Sequence, residues 1–152
     1  MKTKTIPYIC IAMILFTAAA RSQDADERKL LQGTWLATAA ELSESTLDEA
    51  TLKTIKLVLE GDKYAVTVGE SPIDKDTTRI DPAAKPKTMD IISTEGPNKG
   101  KTFLAIYELN GDTLRICYDL TGKVRPTEFK TRKGEPLFLV TYKRAKSSLR
   151  EP

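Results

Sequence analysis

The chain has 152 residues, 40% of them hydrophobic, which is enough for a single domain with a core of its own. It contains no histidine, and this excludes Ser-His-Asp and Cys-His catalysis as well as zinc sites with histidine ligands. The formal charge of +3 comes from Lys2, Lys4 and Arg21, so the remaining 21 basic and 21 acidic residues balance, and we predict no nucleic-acid partner.

The first 22 residues are typical of a secretory signal peptide. A basic start that includes Lys2 and Lys4 precedes an apolar run over residues 6–20, and either Ala18-Ala19-Ala20 or Ala20-Arg21-Ser22 offers the small residues that a signal peptidase requires. The alternative is a retained membrane anchor, but the run is shorter than the roughly 20 residues that span a bilayer comfortably. We therefore expect cleavage near Ser22, export of the chain, and no membrane attachment of the mature protein.

The two cysteines do not predict a disulfide. Cys10 lies in the apolar run and is removed with it, so Cys117 remains alone in the mature chain. Cys117 falls in the middle of a predicted strand, where we favour a buried, inert thiol over a reactive one. Arg115 is the nearby base that would lower the pKa of a reactive thiol.

Two short helices are predicted. Asp24 as N-cap, with Glu27 in the capping-box position, predicts a helix over residues 24–31 that acts as a lid or plug. Thr46 and Glu49 repeat the pattern and predict one or two further helical turns. Between them, Gly33 to Leu42 reads as a strand whose Trp35 forms the base of a core.

The strongest strand signals are two hairpins. Gly61-Asp62 predicts a two-residue turn that sets Glu60 opposite Lys63. In the second hairpin, over residues 101–120, Asn110-Gly111 fits a type I′ turn. That register creates one apolar face, made of Phe103, Ala105, Tyr107, Leu114, Ile116 and Tyr118. A three-residue loop with a bulge would exchange the two faces of this hairpin.

Residues 77–81 and 87–93 are shorter alternating runs, separated by a proline-containing loop. The inward positions are Thr78, Ile80, Met89 and Ile91, and the outward ones are Arg79, Asp81, Thr88 and Asp90. We interpret the outward charges as solvated ion pairs rather than as a carboxylate site for a metal.

The loop before the second hairpin resembles a phosphate-binding loop only superficially. Gly96 and Gly100 are separated by three residues instead of four, and a strand follows where the motif requires a helix. A tight turn explains the same glycines, so we predict no nucleotide site.

The fold class follows from the number of strands. Eight short strands are predicted, at residues 33–42, 55–60, 63–68, 77–81 and 87–93, two within 101–120, and 137–143. Such a meander packs as two sheets or closes on itself, and closure removes exposed edges. We predict an all-β fold, an eight-stranded antiparallel up-and-down barrel with one or two short helices. It forms a single domain over residues 23–145, with a disordered tail at 146–152.

A series of short motifs in a fixed order spans nearly all of the mature chain. They are Leu31-Gln32-Gly33-Thr34-Trp35, Gly61-Asp62-Lys63-Tyr64, Ile80-Asp81-Pro82, Lys85-Pro86-Lys87, Met89-Asp90-Ile91, Gly96-Pro97, Lys99-Gly100-Lys101, Ile106-Tyr107-Glu108-Leu109, Cys117 and Arg125-Pro126-Thr127-Glu128-Phe129. Together they resemble an exported, lipocalin-like domain family of planctomycete bacteria. The resemblance implies the barrel and bacterial export to the periplasm or beyond the cell, but it implies no activity.

Gly33 and Trp35 also resemble the opening motif of lipocalins, in which the tryptophan packs beneath a basic side chain near the last strand. Arg144, Lys143 and Arg125 are the candidates for that basic partner, and the sequence does not choose among them.

Three functions compete at this point. The first is a binding module for a small apolar or amphipathic ligand inside the barrel, and the second is a structural or protein-interaction barrel with a filled interior. The third is an enzyme that uses carboxylates, tyrosine or lysine, but no pair of acids stands out from ordinary surface charge. We predict a monomeric binding module with no catalytic residue, metal or cofactor.

The predicted ligand site combines the barrel interior with its mouth. The interior residues are Tyr64, Phe103, Tyr107 and Tyr118, and the mouth residues are Lys85, Lys87, Lys99 and Lys101. Tyrosine hydroxyls can orient a ligand, and a loop lysine or arginine can meet an acidic head group.

Overall fold

A computed structural model describes residues 21–146 of the protein, except for the side chains of residues 71–74. The predicted signal segment up to residue 20 and the predicted tail from residue 147 lie outside the described residues. Within that part of the chain the strands are β1 (Gly33–Leu42), β2 (Ser45–Thr46), β3 (Lys56–Glu60), β4 (Lys63–Val68), β5 (Ser71–Asp81), β6 (Lys87–Ser93), β7 (Thr102–Asn110), β8 (Thr113–Asp119) and β9 (Leu137–Arg144).

The strands form a closed antiparallel barrel. β1 and then β3 to β9 follow one another around the barrel in chain order, and β9 pairs back onto β1. Trp35 marks the closure, because it lies opposite Leu57 on one side and Arg144 on the other. β2 is a two-residue extension that pairs with the end of β1, after a turn in which Ser43 and Glu44 both have positive φ. The predicted eight-stranded up-and-down barrel is confirmed.

Two helices accompany the barrel, and both begin at other residues than predicted. α1 covers residues 21–31, so Asp24 lies within the helix and is not its N-cap. In α2 (Glu49–Leu52) the N-cap is Asp48, whose Oδ1 accepts a hydrogen bond of 2.8 Å from the Thr51 amide. Thr46 is instead held in β2, where it pairs with Glu41.

The first hairpin has the predicted register, with Glu60 opposite Lys63. The second is shifted by two residues, because Asn110 pairs with Thr113 and the turn is Gly111-Asp112. Gly111 has a φ of +57°, which suits the first central position of a type II′ turn. A shift of two residues equals the side-chain period of a strand, so the predicted apolar face is preserved.

β5 begins six residues earlier than the predicted strand at residue 77. This added part of β5 contains Pro72, which lies opposite Thr67 where the ladder with β4 shifts register. A proline is tolerated at the beginning of a strand or at a bulge because no central ladder bond is lost.

The core fills the barrel from the α1 end. Trp35, Leu57, Leu114 and Ile116 have no solvent exposure. Leu59 and Tyr64 are also buried, whereas Val66 and Phe103 are only partly buried and pack against this core. The two partly buried residues line a cavity described below.

The long connection between β8 and β9 covers part of the outer barrel surface. Ile106 and Cys117 lie opposite each other on the outer face of β7 and β8, and neither is exposed. Burial raises the pKa of the Cys117 thiol to about 11, although the backbone of Lys130 and the charge of Arg115 oppose this shift. The thiol is therefore protonated at neutral pH, as expected for an inert cysteine.

Candidate functional site

The two ends of the barrel differ, and α1 covers one of them. Lys87 donates a hydrogen bond of 2.6 Å to Glu27 of the helix. At the end of α1, the Gln32 side chain accepts a hydrogen bond from the Gly61 amide and donates one to the Gly61 carbonyl, at 2.5 and 3.3 Å. These bonds fix the helix over the strand ends, so the predicted plug forms.

Trp35 and Arg144 lock α1 to this end. The Trp35 indole N–H donates a 2.9 Å hydrogen bond to the Leu31 carbonyl. The Arg144 guanidinium lies 4.1 Å from the centre of the Trp35 ring and donates to the carbonyls of Gln32 and Leu30, at 2.6 and 2.7 Å. Arg144 is therefore the basic side chain that covers the tryptophan.

Gly33 suits this junction because of its backbone conformation. Its φ is +120°, a conformation that other residues rarely adopt. A Cβ atom at this position would lie 3.4 Å from Nη1 of Arg144, at the edge of ordinary van der Waals contact. Any other residue would therefore strain the backbone where α1 leads into β1.

Arg125 has a different structural task. Its guanidinium donates to Asp90 at 2.5 Å and to the Ala105 carbonyl at 2.8 Å. It therefore fastens the β8–β9 connection to the outer faces of β6 and β7. Lys143, the third candidate for the tryptophan partner, is bonded to Thr113 on the outside.

A cavity of about 360 Å³ lies toward the other end of the barrel. Five aromatic side chains line it, namely Tyr64, Phe103, Tyr118, Phe138 and Tyr142. Aliphatic side chains complete the walls, namely Ile55, Val66, Val68, Ile91 and Leu120. The polar lining residues are Asp76, Asn98 and Lys101.

The position of the cavity follows from the strand ends. Val68 ends β4, Lys101 precedes β7 and Leu120 follows β8, and each of these residues is exposed. All three points lie at the end where β1 finishes, opposite the end where α1 leads into β1. The rim of the cavity is therefore open to solvent, whereas α1 covers the opposite end.

The structure divides the predicted ligand residues between the two ends. Tyr64, Phe103, Tyr118 and Lys101 come together around the cavity. Lys99 belongs to the same loop as Lys101 and is exposed, but it does not line the cavity.

The prediction that one mouth holds all four lysines is wrong. Lys85 and Lys87 lie in or beside the β5–β6 loop, which is at the α1 end because successive loops of an up-and-down barrel alternate between ends. Lys87 is bonded to Glu27 and lies 5.9 Å from the centre of the Tyr107 ring. Tyr107 is buried beside α1, where burial and the Glu27 carboxylate raise its pKa far above the ordinary value.

The cavity tyrosines form a buried polar cluster. The hydroxyls of Tyr64 and Tyr118 are 2.8 Å apart and share a hydrogen bond. Burial raises the pKa of both phenols well above the ordinary value and that of Tyr142 to about 12. At neutral pH they are therefore neutral hydrogen-bonding groups and do not act as bases.

Asp76 is a site residue that the sequence reasoning missed. Its side chain is 6% exposed and accepts a 2.7 Å hydrogen bond from the Ser93 hydroxyl. It lies opposite Tyr64 in the β4–β5 ladder, and its charge contributes to raising the pKa of Tyr64. The signal for it was the alternation Asp76, Thr78, Ile80, which continues the inward face of β5 by one more position.

A second hollow of about 440 Å³ lies against the outside of the barrel, along the β8–β9 connection. Several of its charged side chains are engaged in bonds within the connection. Arg132 pairs with Glu128 at 2.5 Å and with Glu135 at 3.7 Å. Asp119 accepts bonds from the amides of this loop, which lower its pKa in spite of burial. We therefore assign the candidate site to the interior cavity, where apolar walls surround a few convergent polar groups.

Neither a metal cluster nor a membrane-spanning helix is found in the described residues. Among the described side chains of residues 21–70 and 75–146, no group of three or more acidic or cysteine side chains is arranged to hold a metal ion. No helix in the same part of the chain combines the length and the apolar character needed to cross a bilayer. No family model, curated protein or solved structure matches the chain in the comparisons with known proteins.

Proposed function

We propose that this protein is an exported, non-enzymatic, lipocalin-like barrel that binds a small apolar or amphipathic molecule in its interior cavity. The observation that carries the proposal is the 360 Å³ cavity lined by aromatic and aliphatic side chains. This volume lies within the range of small-molecule sites, which are typically apolar with a few fixed polar groups. A barrel filled by its own side chains would leave no such space.

The two ends of the barrel support the same proposal. α1 and the core around Trp35 fill one end, so a ligand enters and leaves by the other. At that rim Val68 and Leu120 are exposed apolar side chains, and Lys101 adds a positive charge. An amphipathic ligand can place its apolar part against the aromatic and aliphatic walls, and polar groups are available to it both inside the cavity and at this rim.

Ligand binding is expected to depend on the free volume of the cavity. Val66→Phe fills part of the space, while Ala65→Phe adds the same side chain to the outer face of the same strand. We expect a ligand at 100 times its Kd to stabilise the parent protein by about 2.7 kcal/mol, a rise of roughly 5–10 °C in Tm. The Ala65→Phe variant should keep this rise and the Val66→Phe variant should lose it.

The measurement is a thermal melt with a panel of alkyl and phenylalkyl compounds near 1 mM. Tryptophan fluorescence is a poor reporter here, because Trp35 lies under Arg144 at the far end of the barrel. If no compound raises the Tm of the parent protein, affinities are weaker than about −4 kcal/mol and the binding proposal fails.

Export is the second part of the proposal, and it rests on the basic start and apolar run of the first 22 residues. The bonds described above between α1 and the barrel begin at Glu27, so cleavage near Ser22 would preserve them. We expect mass spectrometry of the native protein to find its N-terminus between Arg21 and Asp24, in a periplasmic or extracellular fraction. A mature protein that still carries Met1 would contradict export by this route.

A further inference from the structure

The polar groups of the cavity differ in depth. Asp76 is buried inside the barrel, and the Ser93 hydroxyl orients its carboxylate. Lys101 is exposed on the rim, where its Nζ donates a 3.1 Å hydrogen bond to Asn98 Oδ1. Ser93 also links the two residues, since its amide donates a 2.9 Å hydrogen bond to the Lys101 carbonyl. A ligand in the cavity therefore meets the carboxylate away from water, whereas the side chain of the lysine is exposed.

Because Asp76 is buried and Lys101 is exposed, their charges should differ in their effect on ligand selectivity. Charges interact more strongly in the low-dielectric interior than at a surface, where water and salt screen them. The interaction with Asp76 should therefore outweigh that with Lys101. A ligand carboxylate at the buried end would be disfavoured, because two like charges would be brought together away from water.

The aromatic walls favour a positively charged ligand group, as Asp76 does. The faces of aromatic rings attract cations, and five rings line this cavity, with those of Tyr118 and Phe138 stacked at 6.1 Å between centres. The buried tyrosines remain neutral phenols, so they supply ring faces and hydroxyls without a charge of their own. A carboxylate together with several ring faces is suited to an ammonium group attached to an apolar body.

We propose that the cavity selects ligands that carry a protonated amine on an apolar or aromatic body, with the ammonium group bound by Asp76. This inference rests on the proposed function, since it names the ligand class for the same cavity. Tyr64 and Tyr118 supply ring faces and hydroxyls beside the ammonium group, and the apolar body extends toward Phe138 and the rim.

The test compares three compounds that share one skeleton, namely 4-phenylbutylamine, 4-phenylbutanol and 4-phenylbutyric acid. Calorimetric titration at pH 7 should show that the amine binds at least ten times more tightly than the alcohol, and that the acid binds most weakly. Asp76→Asn keeps the shape of the side chain and an acceptor for Ser93. This variant should bind the amine at least ten times more weakly than the parent protein does, while its affinity for the alcohol stays within threefold of the parent value.

Lys99→Met provides the matched control at the rim. It removes a positive charge from the same loop as Lys101 but at an exposed residue that does not line the cavity, so it should leave the affinity for the amine unchanged. A large loss of amine binding in this variant would contradict the placement of the ammonium group at Asp76.

The comparison in the parent protein decides the outcome even if Asp76→Asn fails to fold. If the alcohol or the acid binds as tightly as the amine, the inference is overturned. If the alcohol binds as tightly as the amine and Val66→Phe abolishes the binding of both, the proposed function survives without the inference. If none of the three compounds binds, and the wider panel also leaves the Tm unchanged, both proposals fail.

Discussion

Replacing Ile116 or Leu57 by alanine is expected to lower the free energy of unfolding by about 2–5 kcal/mol in each case. Both side chains are fully buried in the barrel core, on β8 and β3. Truncation removes their favourable transfer from water and leaves a cavity, because the closed sheet cannot collapse freely around the missing atoms. Urea unfolding measures this loss directly.

Leu36→Ala is the matched control for these variants. Leu36 lies on β1 directly beside the strand that carries Leu57, but it faces outward and is 45% exposed. The same chemical change should therefore cost about 0.5 kcal/mol or less there. Losses below about 0.5 kcal/mol at both Ile116 and Leu57 would mean that the assignment of inner and outer faces is wrong.

Side-chain alternation in the sequence was sufficient to predict those faces even where the register was wrong. In the β7–β8 hairpin the turn is Gly111-Asp112 instead of Asn110-Gly111, yet Tyr107 and Ile116 still point inward. Asn110 and Gly111 both tolerate positive φ, so local turn preference alone does not separate the two registers. The same side chains face inward in both registers, because the registers differ by two residues and side chains alternate between faces with a period of two.

The site was less predictable than the fold, because it depends on which loops share an end of the barrel. Lys85 and Lys99 lie in consecutive loops, which necessarily lie at opposite ends of an up-and-down barrel. The predicted topology already implied this separation, but the two lysine-bearing loops were grouped by composition instead. In an up-and-down barrel, odd-numbered and even-numbered loops lie at opposite ends. Each loop should therefore be assigned to its end before residues from different loops are combined into one site.

The sequence predicted neither the inward position of Asp76 nor the free volume of the cavity, for different reasons. The predicted strand begins at residue 77, whereas β5 begins at Ser71, so the prediction leaves out the inward position of Asp76. The free volume depends on strand tilt and on the side-chain conformations of residues such as Phe103 and Phe138, which periodicity does not determine. Eight strands enclose a space that side chains can fill or leave partly empty, and only the packed structure distinguishes these cases.

Arg144→Met is expected to loosen α1 and to lower the free energy of unfolding by about 2–4 kcal/mol. The variant removes the charge-assisted hydrogen bonds to the carbonyls of Leu30 and Gln32, which end the helix, and the cation that covers Trp35. Arg144→Lys should recover only part of this loss, because an ammonium group cannot reproduce the planar fork that reaches both carbonyls.

Two measurements separate a loosened helix from general destabilisation. Hydrogen exchange of the α1 amides should accelerate in Arg144→Met under conditions where the β7–β8 amides remain protected, since local opening of one element does not require global unfolding. Trp35 emission should shift to longer wavelength as the ring loses its cover. Lys143→Met is the control, because Lys143 is the preceding residue of β9 and lies exposed on the outer face. If Lys143→Met and Arg144→Met have the same effect on α1 exchange, then the guanidinium does not hold the helix, and closure of this end must rest on the Gln32 and Glu27 contacts instead.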